Sequence, residues 1–210
     1  MKKAHTSITD YLSKAKKGQI IFPTDFRGIG TEGAIKMALS RLVKDGKLKR
    51  VAHGIYYIPK TDPLFGELHP GAEEIAEAIA KKEKIMIKPA GAYALNKLGL
   101  STQVPTRLVY ITNGASRQLK IGKMTVKFKA TNSKKLSMKG PISALLIQAL
   151  EELQLDNMHP ETELKIKKLL AKENSGKLKH DLTLAPARVH DYIIKLLKAK
   201  ENDRMVETER

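Results

Sequence analysis

Residues 28–46 read GIGTEGAIKMALSRLVKDG, and the assignment of this stretch decides the fold. Gly28, Gly30 and Gly33 stand at the G-x-G-x-x-G spacing that opens nucleotide-binding helices. A dinucleotide site also needs a buried parallel strand running straight into the first glycine, and an acid about 20 residues further on. Here Pro23-Thr24-Asp25-Phe26-Arg27 separates the short apolar run QIIF (19–22) from Gly28, and no carboxylate lies between Gly46 and Lys60. The phosphate-loop pattern fails too, because Ala34-Ile35 follow Gly33 where Lys and Ser or Thr are needed. A helix-turn-helix fits better. Gly28 and Gly30 permit a tight reversal between two short helices, and Thr31 caps the second.

Working outward, Ile35, Leu39, Leu42 and Val43, flanked by Ala34 and Ala38, form one apolar stripe that Asp45-Gly46 closes. KLKRVA (47–52) and GIYYI (54–58) read as strands of a hairpin turning at His53-Gly54 and stopped by Pro59. Upstream, Ile8, Tyr11, Leu12 and Ala15 give TSITDYLSKAKK (6–17) a helical period, and Pro23 starts a second short helix. The order helix, helix, helix, hairpin predicts a winged helix-turn-helix over residues 1–60. In that geometry the helix after Thr31 enters the DNA major groove, with its off-stripe residues toward the bases. Thr31, Lys36, Ser40 and Arg41, with Lys44 beside them, are the candidates for base or phosphate contact. Glu32 can accept from a cytosine amine, and Gly33 allows close approach. In or near the wing, Lys47, Lys49, Arg50 and His53 suit phosphates or the minor groove. Each lysine taken alone reads equally well as a solvated surface charge, so the argument rests on the cluster.

Composition agrees with a polyanionic partner. Lys plus Arg number 39 against 22 acids, a net charge of +17 over 210 residues. The charge is uneven: residues 1–60 hold 13 basic and 4 acidic side chains, residues 61–135 hold 13 and 6, and residues 136–210 hold 13 and 12. The polyanion surface therefore belongs to the first two-thirds. With no cysteine, disulfides and thiolate chemistry are excluded. No apolar run approaches the ~18 residues of a membrane span, and no secretory h-region follows the basic N-terminus, so the cytoplasm is the expected compartment and no membrane partner is expected.

The remainder predicts a second, mixed α/β domain, making the fold class α+β. KTDPLFGELHPG (60–71) reads as a linker over 61–71, with the second domain at 72–200. Within it the patterns predict a helix at 73–83, a strand in KIMIK, a helix in AGAYALNKLGL and a strand in RLVYITNG (107–114). SRQLKI and KMTVKFKA then flank Gly122-Lys123 as a basic hairpin carrying Arg117, Lys120, Lys123, Lys127 and Lys129. In KMTVKFKA apolar positions alternate with Thr125, Lys127 and Lys129, so one face is core and the other basic. Either that face is solvated or it is a second surface for DNA flanks or RNA. Helices are predicted at 141–155, 160–172 and 186–200, and a frayed tail at 201–210.

The run LSRLVKDGKLKRVAHGIYYIPK, followed by AGAYALNKLGLSTQVPTRLVYITNG and the basic hairpin, resembles the AbiEi-like antitoxins of type IV toxin-antitoxin systems across residues 6–135. What narrows the resemblance is Ala92-x-x-Leu95-x-x-x-Gly99-Leu100 leading through Gln103-Val104-Pro105 to a strand. Read without the family, that block is plain packing, with Gly99 as a helix C-cap. The resemblance implies an N-terminal winged helix-turn-helix and a repressor of its own operon, acting on double-stranded operator DNA that is typically an inverted repeat and so takes two copies. It also implies antitoxin action against a nucleotidyltransferase-type toxin encoded alongside, without requiring direct contact with it.

Enzyme readings find little support. The six histidines, at 5, 53, 69, 159, 180 and 190, make no metal-ligand spacing with one another or with carboxylates. His180-Asp181 and His190-Asp191 are neighbours whose side chains are not expected to face each other on a helix. No G-x-S-x-G occurs, and no cofactor, metal or catalytic residue is expected. The competing class is a general basic protein for RNA or DNA without an antitoxin role. Only 5% aromatic residues and no tryptophan argue against stacking platforms for single strands.

Overall fold

The computed structural model describes residues 4–208, with side chains for residues 4–198. The chain is a mixed α and β protein that divides into two compact units, residues 1–82 with 119–125, and residues 83–118 with 126–210.

In the first unit, α1 (Ala4–Lys14) leads to β1 (Ile20–Ile21), a short 3-10 helix (Pro23–Phe26) and α2 (Glu32–Lys44). Proline in the first turn and an Asp25 carboxylate accepting from the Phe22 N–H (2.7 Å) start the 3-10 helix. β2 (Lys49–Ala52) and β3 (Ile55–Tyr57) form the hairpin, and β1 adds to it antiparallel in the order β1-β3-β2. Ile8 and Leu12 of α1, Phe26, and Ile35, Ala38, Leu39 and Leu42 of α2 share a core with Leu48, Tyr56 and Ile58. That core absorbs the apolar stripe read from the sequence, and Tyr11 meets Phe26 edge-on at 5.4 Å between centroids.

Residues 61–71 are not a linker. β4 (Lys60–Asp62) pairs antiparallel with β5 (Gly66–Leu68), and α3 (Ala72–Glu83) follows, with residues up to Lys82 in the first unit. Neither strand alternates apolar and polar residues, so the hairpin leaves no period-2 signal. Its turn is set instead by Asp62 Oδ1, which accepts from the N–H groups of Leu64 (2.9 Å) and Phe65 (3.1 Å).

The second unit contains β6 (Ile87–Pro89), α4 (Gly91–Lys97) and β7 (Arg107–Thr112). β8 (Arg117–Ile121) and β9 (Met124–Ala130) complete a four-stranded sheet in the order β6-β7-β9-β8. Gly99, at φ +67, terminates α4 as its left-handed cap, with its N–H on the Asn96 carbonyl. Then come α5 (Ser133–Leu136), α6 (Ser143–Leu150), α7 (Pro160–Leu170), α8 (Ser175–Leu184) and α9 (Ala187–Thr208), which enclose Leu146, Ile147, Leu150, Ile166, Val189 and Ile193. α8 escapes the sequence reading because a charged residue, Asp181, occupies one of its three buried positions beside Leu178 and Leu182. α9 continues through most of the tail expected to fray. The side chains of that tail, and all of residues 209 and 210, lie outside the described residues.

Candidate nucleic-acid interface

The three glycines of the opening motif serve separate purposes. Gly28 adopts φ +88 in the turn between the 3-10 helix and α2, a conformation L side chains rarely take. A Cβ on Gly30 would stand 3.2 Å from the Ala4 Cβ, so this turn runs against the start of α1. A Cβ on Gly33 would meet nothing within 4 Å. The element entering the turn is a 3-10 helix, and β1 pairs antiparallel, so the parallel strand-to-helix cradle of a dinucleotide site is not formed.

α2 begins where Thr31, in extended geometry, accepts the Ala34 N–H on its hydroxyl at 3.3 Å. It ends where Gly46, at φ +69, allows the N–H groups of Asp45, Gly46 and Lys47 to reach the Arg41, Val43 and Leu42 carbonyls. Thr31, Glu32, Gly33, Lys36, Ser40, Arg41 and Lys44 are all exposed, on the side opposite Ile35, Ala38, Leu39 and Leu42. Two of the candidates are paired: Lys36 and Glu32, four residues apart, form an ion pair at 2.6 Å. The Lys36 hydrogen bond and charge hold the Glu32 carboxyl below the usual carboxylate range. Glu32 is thus engaged within the helix, and Thr31 is occupied as its cap.

Two residues on this face carry more weight than the sequence reading gave them. Met37 is 59% exposed, an apolar side chain displayed among polar ones. Its position off the stripe was the available signal. Arg27, just before the turn, lines a depression of about 260 Å³ with Pro23, Thr24, Gly28 and Glu32 at the N-terminal end of α2. The preceding loop gave no period by which to find it.

In the β2–β3 hairpin, Gly54 at φ +70 makes the turn and a bulge separates Arg50 from Ala52. Arg50 folds along the turn, its Nε donating to the Ala52 carbonyl (3.3 Å) and its Nη2 reaching His53 Nδ1 (3.1 Å). Lys49 is directed elsewhere: it pairs with Glu67 of β5 at 3.3 Å. Glu67 also accepts from the Tyr57 hydroxyl at 2.9 Å, and that hydroxyl lies 2.6 Å from His69 Nδ1. Burial and then the Glu67 carboxylate push the Tyr57 hydroxyl up to about 12, while the Tyr57 hydrogen bond lowers Glu67. Lys47 is exposed between α2 and β2.

The second basic surface loses one member. Arg117 shares a face of β8 with Leu119 and buried Ile121, stands over the Phe128 ring at 5.2 Å and pairs with Glu83 at 2.7 Å. Alternation from Ile121 puts Arg117 on the core side, so it is a sheet-packing residue and not part of the outward charge. Lys127 and Lys129 are exposed on the side of β9 opposite Val126 and Phe128. Lys120 is exposed on β8, and Lys123 is exposed at the turn.

Both adjacent His-Asp pairs do touch, contrary to expectation: His180 Nδ1 lies 2.9 Å from Asp181 Oδ1, and His190 Nδ1 lies 2.9 Å from Asp191 Oδ1. Asp181 is fully buried and also accepts from the Lys139 N–H (2.7 Å), the Gly140 N–H (2.8 Å) and the Ser143 hydroxyl (2.6 Å). Burial raises its pKa, but these hydrogen bonds outweigh burial and hold it below the usual range. The Ser143 hydroxyl donates a hydrogen bond to a carboxylate that stays ionised. This cluster holds the start of α6 and lacks the geometry of an activated nucleophile. Among the described residues no helix is long and apolar enough to cross a membrane, and no three His, Asp or Glu side chains are grouped to hold a metal ion.

Comparison with curated proteins gives no match. A match to the "Family of unknown function (DUF6088)" runs over residues 7–178, from α1 through the interface elements and the sheet into α8, and the chain belongs to that family.

Proposed function

We propose that the chain is a sequence-specific DNA-binding repressor of its own operon, with α2 as the recognition helix and the β2–β3 hairpin as the wing of a winged helix-turn-helix. One observation carries this reading. α2 buries one stripe and exposes a face of Gly33, Lys36, Met37, Ser40, Arg41 and Lys44, directly after a glycine turn and before a hairpin. Arg41 supplies bidentate donors for a guanine edge, and Met37 an apolar surface for a thymine methyl. Lys44 and Lys47 supply phosphate contacts, and Arg27 adds charge at the N-terminal end.

The resemblance to AbiEi-like antitoxins extends the proposal: the protein acts in the cytoplasm and counteracts a nucleotidyltransferase-type toxin from the same operon without needing to bind it. The reading includes no catalytic residue and no cofactor. The test is affinity for a duplex from upstream of the chain's own gene against a shuffled duplex, at two salt concentrations. A preference of about 10³ or more at moderate salt is expected. Equal affinities that collapse together as salt rises would refute sequence reading and leave a general basic nucleic-acid binder. Co-expression with the neighbouring toxin gene tests the antitoxin part separately, and unrelieved growth arrest would refute it.

A further inference from the structure

In the second unit, a pocket of about 310 Å³ opens among β6, the end of α4 and the segment leading into α6. Its charged lining is Lys88, Lys97 and Lys139, and no carboxylate lines it. Met138, Pro141 and Leu145 make the rest of the wall largely apolar. The three lysines come from separate elements: Lys88 is the middle residue of β6 and is paired with Ile111 of β7, Lys97 closes α4, and Lys139 precedes α6. The frame around them is fixed by hydrogen bonds. Asp181 of α8 holds the Lys139 and Gly140 N–H groups at 2.7 and 2.8 Å, and Glu173 holds those of Ile142 and Ser143 at 2.8 and 2.9 Å. A pocket built on tied backbone is ready for a ligand without rearrangement.

Lys88 shows what this pocket lacks. It is half-buried, and its ammonium donates to the Met138 carbonyl at 2.5 Å. Burial pushes its pKa down, opposed by the charge of Asp181. The Asp181 oxygens are already engaged by the Lys139 and Gly140 N–H groups, the Ser143 hydroxyl and the His180 ring, and Lys88 has no ion-pair partner among the described residues. A cation desolvated without a counterion gains from an anion brought to it. Lys139 is exposed and also has no ion-pair partner among the described residues, and Lys97 lies over the Tyr93 ring at 5.5 Å. Ammonium groups act as point charges, and several lining one pocket suit a phosphate monoester, at roughly −1.5 to −2 near neutral pH, better than a single carboxylate. The volume falls at the small end of the range for small-molecule pockets, about 300–1,000 Å³. We infer that this pocket binds a small phosphomonoester, its phosphate held by Lys88, Lys97 and Lys139 and its compact apolar body against Met138, Pro141 and Leu145. The site requires no nucleic acid and stands independently of the DNA reading.

The test is calorimetric titration of the full chain without DNA, at about 0.15 M salt to screen non-specific attraction. The probe is phenyl phosphate, set against its two halves, phenol and inorganic phosphate. Phenyl phosphate should bind saturably, and each half should bind about tenfold or more weakly, because each gives up one of the two contact types. Lys88→Met keeps the stem, removes the charge and should weaken phenyl phosphate by about tenfold or more. Lys139→Gln, at an exposed position, should weaken it in the same direction and decides the matter if Lys88→Met does not fold. Lys165→Gln with Lys168→Gln, exposed on α7 and outside the pocket, should bind like wild type. Unchanged circular dichroism verifies the fold of each variant. Absence of saturable binding, or a half that binds as well as the whole, would overturn the proposal. So would pocket variants that bind like wild type, or an α7 variant that loses as much as they do. No operator DNA enters this titration, so its failure is distinguishable from failure of the repressor reading.

Discussion

Gly33→Ala should move stability and DNA affinity in opposite directions. Gly33 occupies the first turn of α2 on its exposed side, and a Cβ there meets nothing within 4 Å. Nothing in the free chain requires a glycine at this position. Alanine restricts the unfolded chain and suits the helix, so the substitution should stabilise by about 0.5 kcal/mol, the low end of the ~0.4–1 kcal/mol range because the site is in the first turn. With α2 in the major groove as proposed, the same methyl would enter a close-packed contact, where one extra carbon typically costs ~1–3 kcal/mol. Operator affinity should therefore fall about tenfold, which corresponds to roughly 1.4 kcal/mol. Urea unfolding at unchanged m reads the first effect, and titration of the operator duplex at fixed salt reads the second. A variant that gains stability and keeps its operator affinity would refute the placement of the first turn of α2 against DNA. Lost stability would refute the helical account of the position itself.

Other residues give independent tests. Arg41→Ala should cost ~1–3 kcal/mol on operator DNA and much less on random DNA if it reads a base, whereas equal losses would make it a phosphate contact. Lys127→Ala with Lys129→Ala should reduce the salt slope of binding by about 1.8 if both meet phosphates, at ~0.9 each; no change in slope or in toxin neutralisation would make that face solvated only. Asp181→Ala strands three donors around α6 and the His180 ring, and should destabilise by about 3–5 kcal/mol at neutral pH, read by denaturation. Because the folded-state pKa of Asp181 is lowered from 3.8, its ionised form stabilises the fold fully above that value. The contribution disappears as pH falls below 3.8 through the folded value, so the gap between wild type and variant should close in that acid window and not near neutrality.

Much of the first unit is written in short-range chemistry. Thr31, the apolar stripe, Asp45-Gly46 and His53-Gly54 each specify a cap, a face or a turn, and each lies where its local physics puts it. The misses rest on polar contacts, local at Asp62 and distant at Asp181, that no hydrophobic period records. The β4–β5 hairpin depends on Asp62 reaching two backbone N–H groups and on Tyr57 reaching Glu67, neither of which leaves a hydrophobic period. α8 conceals a buried carboxylate whose partners Lys139, Gly140 and Ser143 lie about forty residues upstream. Arg117 was the legible miss, because counting back by twos from Ile121 already places it with the core of the sheet.

Side-chain pairing also changes how the interface charge should be counted. Read from the sequence, Lys36, Arg41 and Lys44 are candidates on the recognition helix, and Lys47, Lys49 and Arg50 are candidates in or near the wing. In the fold, Lys36 is committed to Glu32, Lys49 to Glu67, and Arg50 to the wing turn through Ala52 and His53. Arg41, Lys44 and Lys47 have no ion-pair partner among the described residues. A phosphate gains most from a cation that gives up no existing partner, so Lys44 and Lys47, with Arg41 assigned to a base edge, should account for most of the salt-dependent binding of the first unit. The exposed Lys36–Glu32 pair should contribute through its geometry on α2, since binding a phosphate there would leave Glu32 facing the backbone uncompensated. A salt slope that drops by about one for each of Lys44 and Lys47, and stays nearly flat for Lys49, would distinguish this fold-based count from the composition-based one.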